Sequence, residues 1–187
     1  MKIKNTEIPG VLEISPDVFE DDRGYFLESF NKDRFLENQL ETHFVQDNIS
    51  KSGYGTIRGL HYQTGDKSQG KLCQVITGRV LDIAVDIRFG SPSFGKYVSI
   101  ELSGENHTQL WIPPGFAHGF SVLSEHAIFL YKCTNFYSKE HDRTIIYNDP
   151  QLNIDWKIEN PVISQKDSNG KSFDEIEKDF VYSEMKI

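Results

Sequence analysis

Most of this chain consists of short segments in which apolar and polar residues alternate, and Gly, Pro, Asn or Ser separates each segment from the next. The clearest segment is GRVLDIAVDIR, where Leu81, Ile83, Val85 and Ile87 would share one face of a strand. Many short strands at such spacing, with little helical periodicity, are typical of a sandwich or barrel. The pattern therefore predicts an all-β fold with only a few short peripheral helices.

Two segments have helical features. Asn31 is a suitable N-cap for a short helix that would extend to about Gln39 and bury Phe35 and Leu36. Near the end of the chain, Ser172 would cap a second helix. Its inward-facing residues at helical spacing would be Phe173, Ile176 and Phe180.

Length and charge restrict the class of protein. The 187 residues fit one domain spanning residues 1–187, with a sizeable core. A net charge of −8 argues against a nucleic-acid partner, and no apolar run approaches membrane length. The start, MKIKNTEIPG, lacks the apolar stretch of a signal peptide, so a cytoplasmic location is expected.

The two cysteines, Cys73 and Cys133, both lie in strand-like segments. Buried free thiols in a reducing compartment are the simplest interpretation. A disulfide between the two also fits the sequence.

The stretch from Gln46 to Lys71 concentrates polar side chains on predicted strands. They are a guanidinium, an imidazole, an ammonium and three amides, which are groups that bind an oxygen-rich anionic ligand. These residues are Gln46, Asn48, Arg58, His61, Gln63 and Lys71. A solvent-exposed sheet edge also fits the alternation, but such edges usually carry interchangeable Lys, Glu, Ser and Thr.

Within this stretch, strict alternation would place Arg58 and His61 on opposite faces of a strand. Gly59 lies between them, and a glycine inside a strand often marks a bulge that redirects a side chain. A lone histidine is more often structural than catalytic. Close to Arg58 and Lys71, however, the imidazole of His61 would stay neutral, as a general base requires.

The run WIPPGFAHGF contains P-x-G-x-x-H, the second sequence motif of cupins, ending at His118. The first cupin motif usually carries H-x-H and a downstream Glu, which supply metal ligands. Here the corresponding place has His61 followed by Gln63 in the second ligand position. Because a metal site normally requires three or four ligands, the sequence predicts a cupin-like barrel without a metal.

Two further candidates depend on what the fold brings to His61. Tyr131 lies in an aromatic strand, where it is by default a core residue, and it becomes an acid if it faces His61 across a cavity. Lys166 and Asp167 belong to SQKD, which is typical of a solvated loop. The alternative is that Asp167 folds back onto His61 and fixes its tautomer.

Together these segments resemble the family of dTDP-4-dehydrorhamnose 3,5-epimerases. The similar runs occur in the order of that family and with similar gaps, across nearly the whole chain. They are DDRGYFLESF, FVQDNISKS, IRGLHYQ, QGKL, IAVDIR, SPSFGK, QLWIPPGFAHGF, FLYK and ISQKD. One departure is Tyr147-Asn148-Asp149, where the family often has Trp-Asn-Asp.

The resemblance implies a cupin-like jelly roll that works as a homodimer without metal or organic cofactor. It implies inversion of carbons 3 and 5 of dTDP-4-dehydro-6-deoxy-D-glucose, in dTDP-L-rhamnose biosynthesis. The implied catalytic residues are His61 as base, Asp167 as its partner, Tyr131 as acid and Lys71 as stabiliser of the enolate oxygen. The implied substrate-binding residues, some from the dimer partner, are Arg23, Phe26, Glu28, Gln46, Asn48, Arg58, His118, Asp142 and Lys166.

The chemistry of the residues agrees, because a 4-keto group acidifies both neighbouring C–H bonds and a cation at Lys71 would stabilise the resulting enolate. Three alternatives remain open. A single-carbon epimerase on a related nucleotide sugar would share nearly every residue. A non-catalytic sugar-nucleotide-binding cupin would not need an acid and a base together. A metal-dependent cupin is disfavoured by Gln63.

Overall fold

The computed structural model describes residues 1–183 as two sheets of mainly antiparallel strands packed face to face, with one separate hairpin. The first sheet has the order β1 (Lys2–Asn5), β2 (Leu12–Ser15), β10 (Gln109–Ile112), β7 (Lys71–Thr77), β12 (His126–Cys133) and β5 (Gln46–Gly53). The second has the order β13 (Asp142–Thr144), β6 (Thr56–Gln63), β11 (Phe116–Val122), β8 (Arg79–Asp86) and β9 (Tyr97–Ser103). A short β14 (Val162–Ile163) runs parallel to β6, and the hairpin consists of β3 (Val18–Asp21) and β4 (Gly24–Leu27).

This arrangement is a jelly roll, and the all-β prediction is confirmed. Strand β8 lies between β11 and β9 in the second sheet and is buried on both faces. Val80 and Ala84 point between the sheets, where the rings of Phe120 and Phe129 stack with centroids 4.3 Å apart. The other face of β8 carries the residues predicted to share it, which pack together in a second apolar cluster: Leu81, Ile83, Val85 and Ile87.

The outer face of the second sheet is covered by the C-terminal part of the chain, which forms no long helix up to residue 183. The predicted helix after Ser172 is wrong, because only a 3-10 turn forms at Phe173–Glu175, although Ser172 and Glu175 do cap it reciprocally. The segment beyond is extended, since Phe89 donates its backbone N–H to the carbonyl of Phe180 at 2.7 Å. Hydrogen bonds to another segment therefore replace those that a helix would make. Phe173 is buried under this cover.

A short helix, α1 (Lys32–Glu37), lies on the outer face of the first sheet. Asn31 caps it as predicted, but it ends before Gln39, whose φ of 57° is left-handed. Phe35 is buried, whereas Leu36 is 52% exposed, so the predicted burial of Leu36 is wrong. Consecutive helical residues point in different directions, and so short a helix buries only one narrow face.

A second helix, α2 (Gln165–Ser168), forms where the sequence suggested a loop, and Ser164 caps it. None of the helices in residues 1–183 is long and apolar enough to cross a membrane. Cys73 and Cys133 are buried free thiols, as the simpler interpretation predicted.

Candidate active site

Between the two sheets lies a cavity of about 770 Å³, next to a smaller space of about 330 Å³. The two spaces share polar lining residues, so they form one continuous polar region. The shared residues are Asn48, His61, Lys71, Tyr131 and Lys166. One wall is formed by strands β6 and β11 of the second sheet, and the opposite wall by β5, β7 and β12 of the first.

Arg58 and His61 both line this cavity because strand β6 is bulged. His61 pairs with His118 of β11, but Arg58 pairs with Phe120, so three steps along β6 oppose two along β11. Gly59 lies at the shift with a φ of 128°, and a Cβ there would be 2.5 Å from a backbone carbon of β11. The bulge predicted at Gly59 is confirmed, and the close approach of the strands leaves no room for a larger residue.

The first histidine–carboxylate pair joins His61 to Asp167. His61 Nε2 lies 2.6 Å from Asp167 Oδ1, although the residues are 106 positions apart in the chain. Burial raises the pKa of Asp167, but hydrogen bonds from His61 and from the backbone of Gly59 outweigh it, and the pKa falls below its ordinary value. The ionised carboxylate therefore accepts the Nε2–H, which leaves Nδ1 of His61 as the basic nitrogen.

A second pair joins His118 to Asp82 of strand β8, with His118 Nε2 2.6 Å from Asp82 Oδ1. The side chains are 7% and 0% exposed. Cys73 Sγ lies 3.7 Å from the same nitrogen. Burial lowers the pKa of His118 and outweighs the opposing effect of Asp82, so this imidazole is neutral at pH 7.

His118 and its two neighbours, Cys73 and Asp82, also resemble a metal-ligand set, because their candidate ligand atoms lie within 4.8 Å of one another. The distance of 2.6 Å between Nε2 and Oδ1 is that of a hydrogen bond. Two ligands of a tetrahedral zinc, each about 2.0 Å from the ion, would be about 3.3 Å apart. Cys73, Asp82 and His118 are therefore arranged for hydrogen bonding.

The opposite wall contributes Lys71 of β7 and Tyr131 of β12. The Lys71 side chain is buried, and its Nζ lies 5.9 Å from the centroid of the Tyr131 ring. The carboxylates that line the cavity and the smaller space are paired elsewhere, Asp167 with His61 and Asp142 with Lys166. Burial raises the pKa of Tyr131 to about 12, so the phenol keeps its proton at neutral pH. A protonated phenol and a lysine side chain thus face His61 from the other sheet.

Amides and a guanidinium line the same region. Gln46 Nε2 donates to Asn48 Oδ1 at 3.0 Å on strand β5. Arg58 Nε donates to Ser52 Oγ at 2.9 Å, which orients the guanidinium. By contrast, the amide of Gln63 makes hydrogen bonds to the backbone of neighbouring loops, so it anchors loops.

At the rim, Lys166 pairs with Asp142 at 2.5 Å. Asp142 also accepts a hydrogen bond at 3.1 Å from the hydroxyl of Tyr137, an exposed aromatic residue that lines the smaller space. Sequence reasoning missed Tyr137 and Asp82. For Asp82, the signal available was an acidic residue between Leu81 and Ile83 in a strand-like segment. For Tyr137, the sequence offered no such signal.

Three predicted binding residues do not line the cavity of their own chain. Arg23 pairs with Asp21 on the hairpin, and Glu28 pairs with Arg34 of α1. Phe26 is 66% exposed on strand β4. A role for these residues in substrate binding thus requires a second copy of the chain, and it stays a prediction.

The sequence matches the family model of dTDP-4-dehydrorhamnose 3,5-epimerase over residues 5–175. The dTDP-4-dehydrorhamnose 3,5-epimerase of Shigella flexneri is 54% identical over 174 residues, covering 92% of this chain and 96% of that protein. A crystal structure of dTDP-6-deoxy-D-glucose-3,5-epimerase from Legionella pneumophila, in complex with dTDP-4-keto-L-rhamnose, is 48% identical with a TM-score of 0.93 and covers 97% of this chain and 98% of that one. A 3'-monoepimerase from Streptomyces bikiniensis, in complex with dTDP-quinovose, is 29% identical with a TM-score of 0.85, covering 90% and 86%.

Proposed function

The chain belongs to the family of dTDP-4-dehydrorhamnose 3,5-epimerases, and from this premise we propose how its residues carry out that reaction. The enzyme inverts carbons 3 and 5 of dTDP-4-dehydro-6-deoxy-D-glucose to give dTDP-4-dehydro-L-rhamnose. The observation that carries the proposal is the placement of base and acid on facing sheets of one cavity. His61 lies on β6, and Tyr131 lies on β12.

The first step is removal of a proton from a carbon next to the ketone. Nδ1 of His61 takes the proton, and Asp167 stabilises the imidazolium through the Nε2–H. The electron pair of the broken C–H bond moves to the ketone oxygen, forming an enolate. Lys71, whose ammonium is free of the cavity's carboxylates, stabilises the charge that develops on that oxygen.

The second step returns a proton to the same carbon from the opposite side. Tyr131 has kept its proton, because burial raises the pKa of its phenol to about 12. Since Tyr131 and His61 lie on opposite walls, the new C–H bond forms on the face away from the base. The carbon is therefore inverted, and His61 is left protonated while Tyr131 is left deprotonated. Solvent takes the proton from His61 and returns one to Tyr131, and the same pair then serves the carbon on the other side of the ketone.

The remaining polar groups of the cavity suit the charged part of a dTDP-sugar. Arg58 and Lys166 are cations near the opening of a protein whose net charge is −8. Gln46 and Asn48 supply amides that recognise carbonyl and hydroxyl oxygens. We assign Arg58 and Lys166 to the diphosphate, because charge-assisted hydrogen bonds to phosphate are the strongest that these groups make. The reduced thiols of Cys73 and Cys133 are consistent with a cytoplasmic location.

We further propose a homodimer in which the hairpin of β3 and β4 completes the cavity of the partner. The hairpin exposes aromatic rings, with Phe19 60%, Tyr25 54% and Phe26 66% exposed. Exposed apolar surface of this kind is typical of an interface. Arg23 and Phe26 lie on the same hairpin and outside the cavity of their own chain.

Light scattering should find a dimer at micromolar concentration, and a fully active monomer would contradict the dimer. Phe26→Ser should weaken the dimer, whereas Phe136→Ser, at a similarly exposed ring outside the hairpin, should not. Mixing His61→Asn chains with Arg23→Ala chains should restore activity, because each mixed dimer then has one complete cavity. Unrestored activity in proven mixed dimers would place Arg23 outside the partner's site.

The function is tested by incubating dTDP-4-dehydro-6-deoxy-D-glucose with the protein in deuterated water and following proton NMR, with His61→Asn as the control. Deuterium should enter both carbon 3 and carbon 5, and the product should be the L-rhamno sugar. Exchange at one carbon alone would indicate a single-carbon epimerase, like the Streptomyces bikiniensis protein. Binding without any exchange would indicate a non-catalytic sugar-nucleotide-binding protein.

A further inference from the structure

Asp82 is a buried carboxylate whose presence the fold alone does not require. Its side chain is fully buried, and one oxygen, Oδ2, has no hydrogen-bond partner among residues 1–183. Keeping an ionisable pair and an unpaired oxygen in the interior destabilises a fold relative to well-packed apolar side chains. The residues of β8 on either side of Asp82 along the same face, Val80 and Ala84, are buried and apolar. The position of Asp82 therefore points to a role in the site.

We propose that Asp82 is a positioning residue for substrate recognition. By accepting the Nε2–H of His118, it leaves the Nδ1 lone pair of that imidazole facing the cavity, where it accepts a hydrogen bond from a hexose hydroxyl. This inference rests on the proposed epimerase function, and it assigns recognition of the hexose to His118 in the same site.

The geometry places His118 beside the hexose. His118 and His61 are direct partners across β11 and β6, so their side chains lie next to each other on one face of the sheet. Both line the cavity, and His61 must contact the ring carbons from which it removes protons. Nδ1 of His118 makes no hydrogen bond to any residue in 1–183, so it is free to bind the substrate.

Of two polar parts of the substrate, the diphosphate and the hexose hydroxyls, only a hydroxyl can donate a hydrogen bond to Nδ1 of His118. A neutral imidazole held through its Nε2–H offers only an acceptor at Nδ1. A diphosphate has no hydrogen to donate at neutral pH, whereas each hexose hydroxyl has one. Burial lowers the pKa of His118, which keeps the imidazole neutral and suited to accept.

Asp82→Asn tests this role, because an asparagine amide can donate to Nε2 and thereby place a proton on Nδ1. The matched control is Asp86→Asn, a buried carboxylate of the same strand that pairs with Arg88, Ser91 and Ser93 outside the cavity. Calorimetry would use two probes: dTDP-glucose, which lacks the ketone and does not react, and dTDP, which lacks the hexose. Nitrogen-15 NMR would report which nitrogen of His118 carries the proton.

In the parent protein we expect the proton of His118 on Nε2 and a shift of the Nδ1 resonance with dTDP-glucose but not with dTDP. In Asp82→Asn the Nδ1–H form should appear, and the dissociation constant for dTDP-glucose should rise roughly fivefold while that for dTDP stays unchanged. Asp86→Asn should bind both probes like the parent.

Three outcomes would overturn the inference: a parent His118 with its proton on Nδ1, an Asp82→Asn protein with unchanged affinity for dTDP-glucose, or equal losses for both probes. If Asp82→Asn does not fold, the parent spectra decide alone, because an Nδ1 resonance that dTDP-glucose leaves unmoved contradicts the proposed contact. A parent protein that binds neither probe would instead refute the proposed function.

Discussion

Two neighbouring histidines, His61 and His118, line one cavity. The Nε2 atom of each lies 2.6 Å from a carboxylate oxygen. They differ in where the carboxylate comes from and in how much water reaches the ring. Asp167 belongs to a short helix late in the chain, and His61 is 30% exposed. Asp82 belongs to the neighbouring strand β8, and His118 is 7% exposed.

The difference indicates which pair moves protons. A base must release the proton it has taken, so it needs a ring nitrogen that reaches substrate and then solvent. His61 satisfies this condition, and it faces an acid on the opposite sheet. His118 is enclosed by apolar neighbours and a thiol, which suits a group that only orients the sugar. We therefore assign proton transfer to the pair of His61 and Asp167, and sugar recognition to the pair of His118 and Asp82.

The largest expected effect separates the two histidines directly. His61→Asn should slow deuterium exchange at both carbons by about 10²–10⁴-fold, because it removes the general base. His118→Asn should act mainly on KM, because the base, the acid and Lys71 remain in place. Steady-state kinetics on purified variants measure both constants. Equal losses of kcat in the two variants would contradict the assignment of different roles to His61 and His118.

A smaller effect is expected from the carboxylate of the first pair. Asp167→Asn leaves the imidazole in place but removes the charge that stabilises its protonated form, so kcat should fall by about 10²-fold. This loss should appear in kcat, unlike the affinity change expected from Asp82→Asn. Single-turnover measurements separate the chemical step from binding. A normal kcat for Asp167→Asn would show that His61 does not depend on its partner.

The smallest expected effect concerns metal. Hydrogen-bond spacing between His118 and Asp82 leads us to expect no change in rate after dialysis against a strong chelator. Activity that is lost on dialysis and restored by one divalent ion would make the second pair a metal site. That result would also replace the recognition role assigned to His118.

Local alternation was enough to predict much of the fold. Period-two alternation identified both faces of β8, and the Pro-Gly turn separated β10 from β11. The helical spacing of Phe173, Ile176 and Phe180 was misleading, because an extended segment bonded to Phe89 places the same residues against the sheet. Which face of a sheet lacks a cover depends on the whole topology, and a local pattern does not contain that information.

Features of the site were predictable where a residue type indicates a specific local structure. Gly59 indicated the bulge that brings Arg58 and His61 to the same cavity. His61 and Asp167 are 106 positions apart in the chain. The sequence therefore left two alternatives open for Asp167, a solvated loop or a contact with His61. Asp82 was missed because its partner, His118, comes from another strand.

The most direct test of the account is Tyr131→Phe with dTDP-4-dehydro-6-deoxy-D-glucose in deuterated water. The variant keeps the ring and its packing but lacks the proton on the wall opposite His61. The base still forms the enolate and returns deuterium to the side from which it took the proton. We therefore predict exchange without inversion, most clearly at carbon 5. Inversion of both carbons at the parent rate would contradict the assignment of base and acid to opposite sheets.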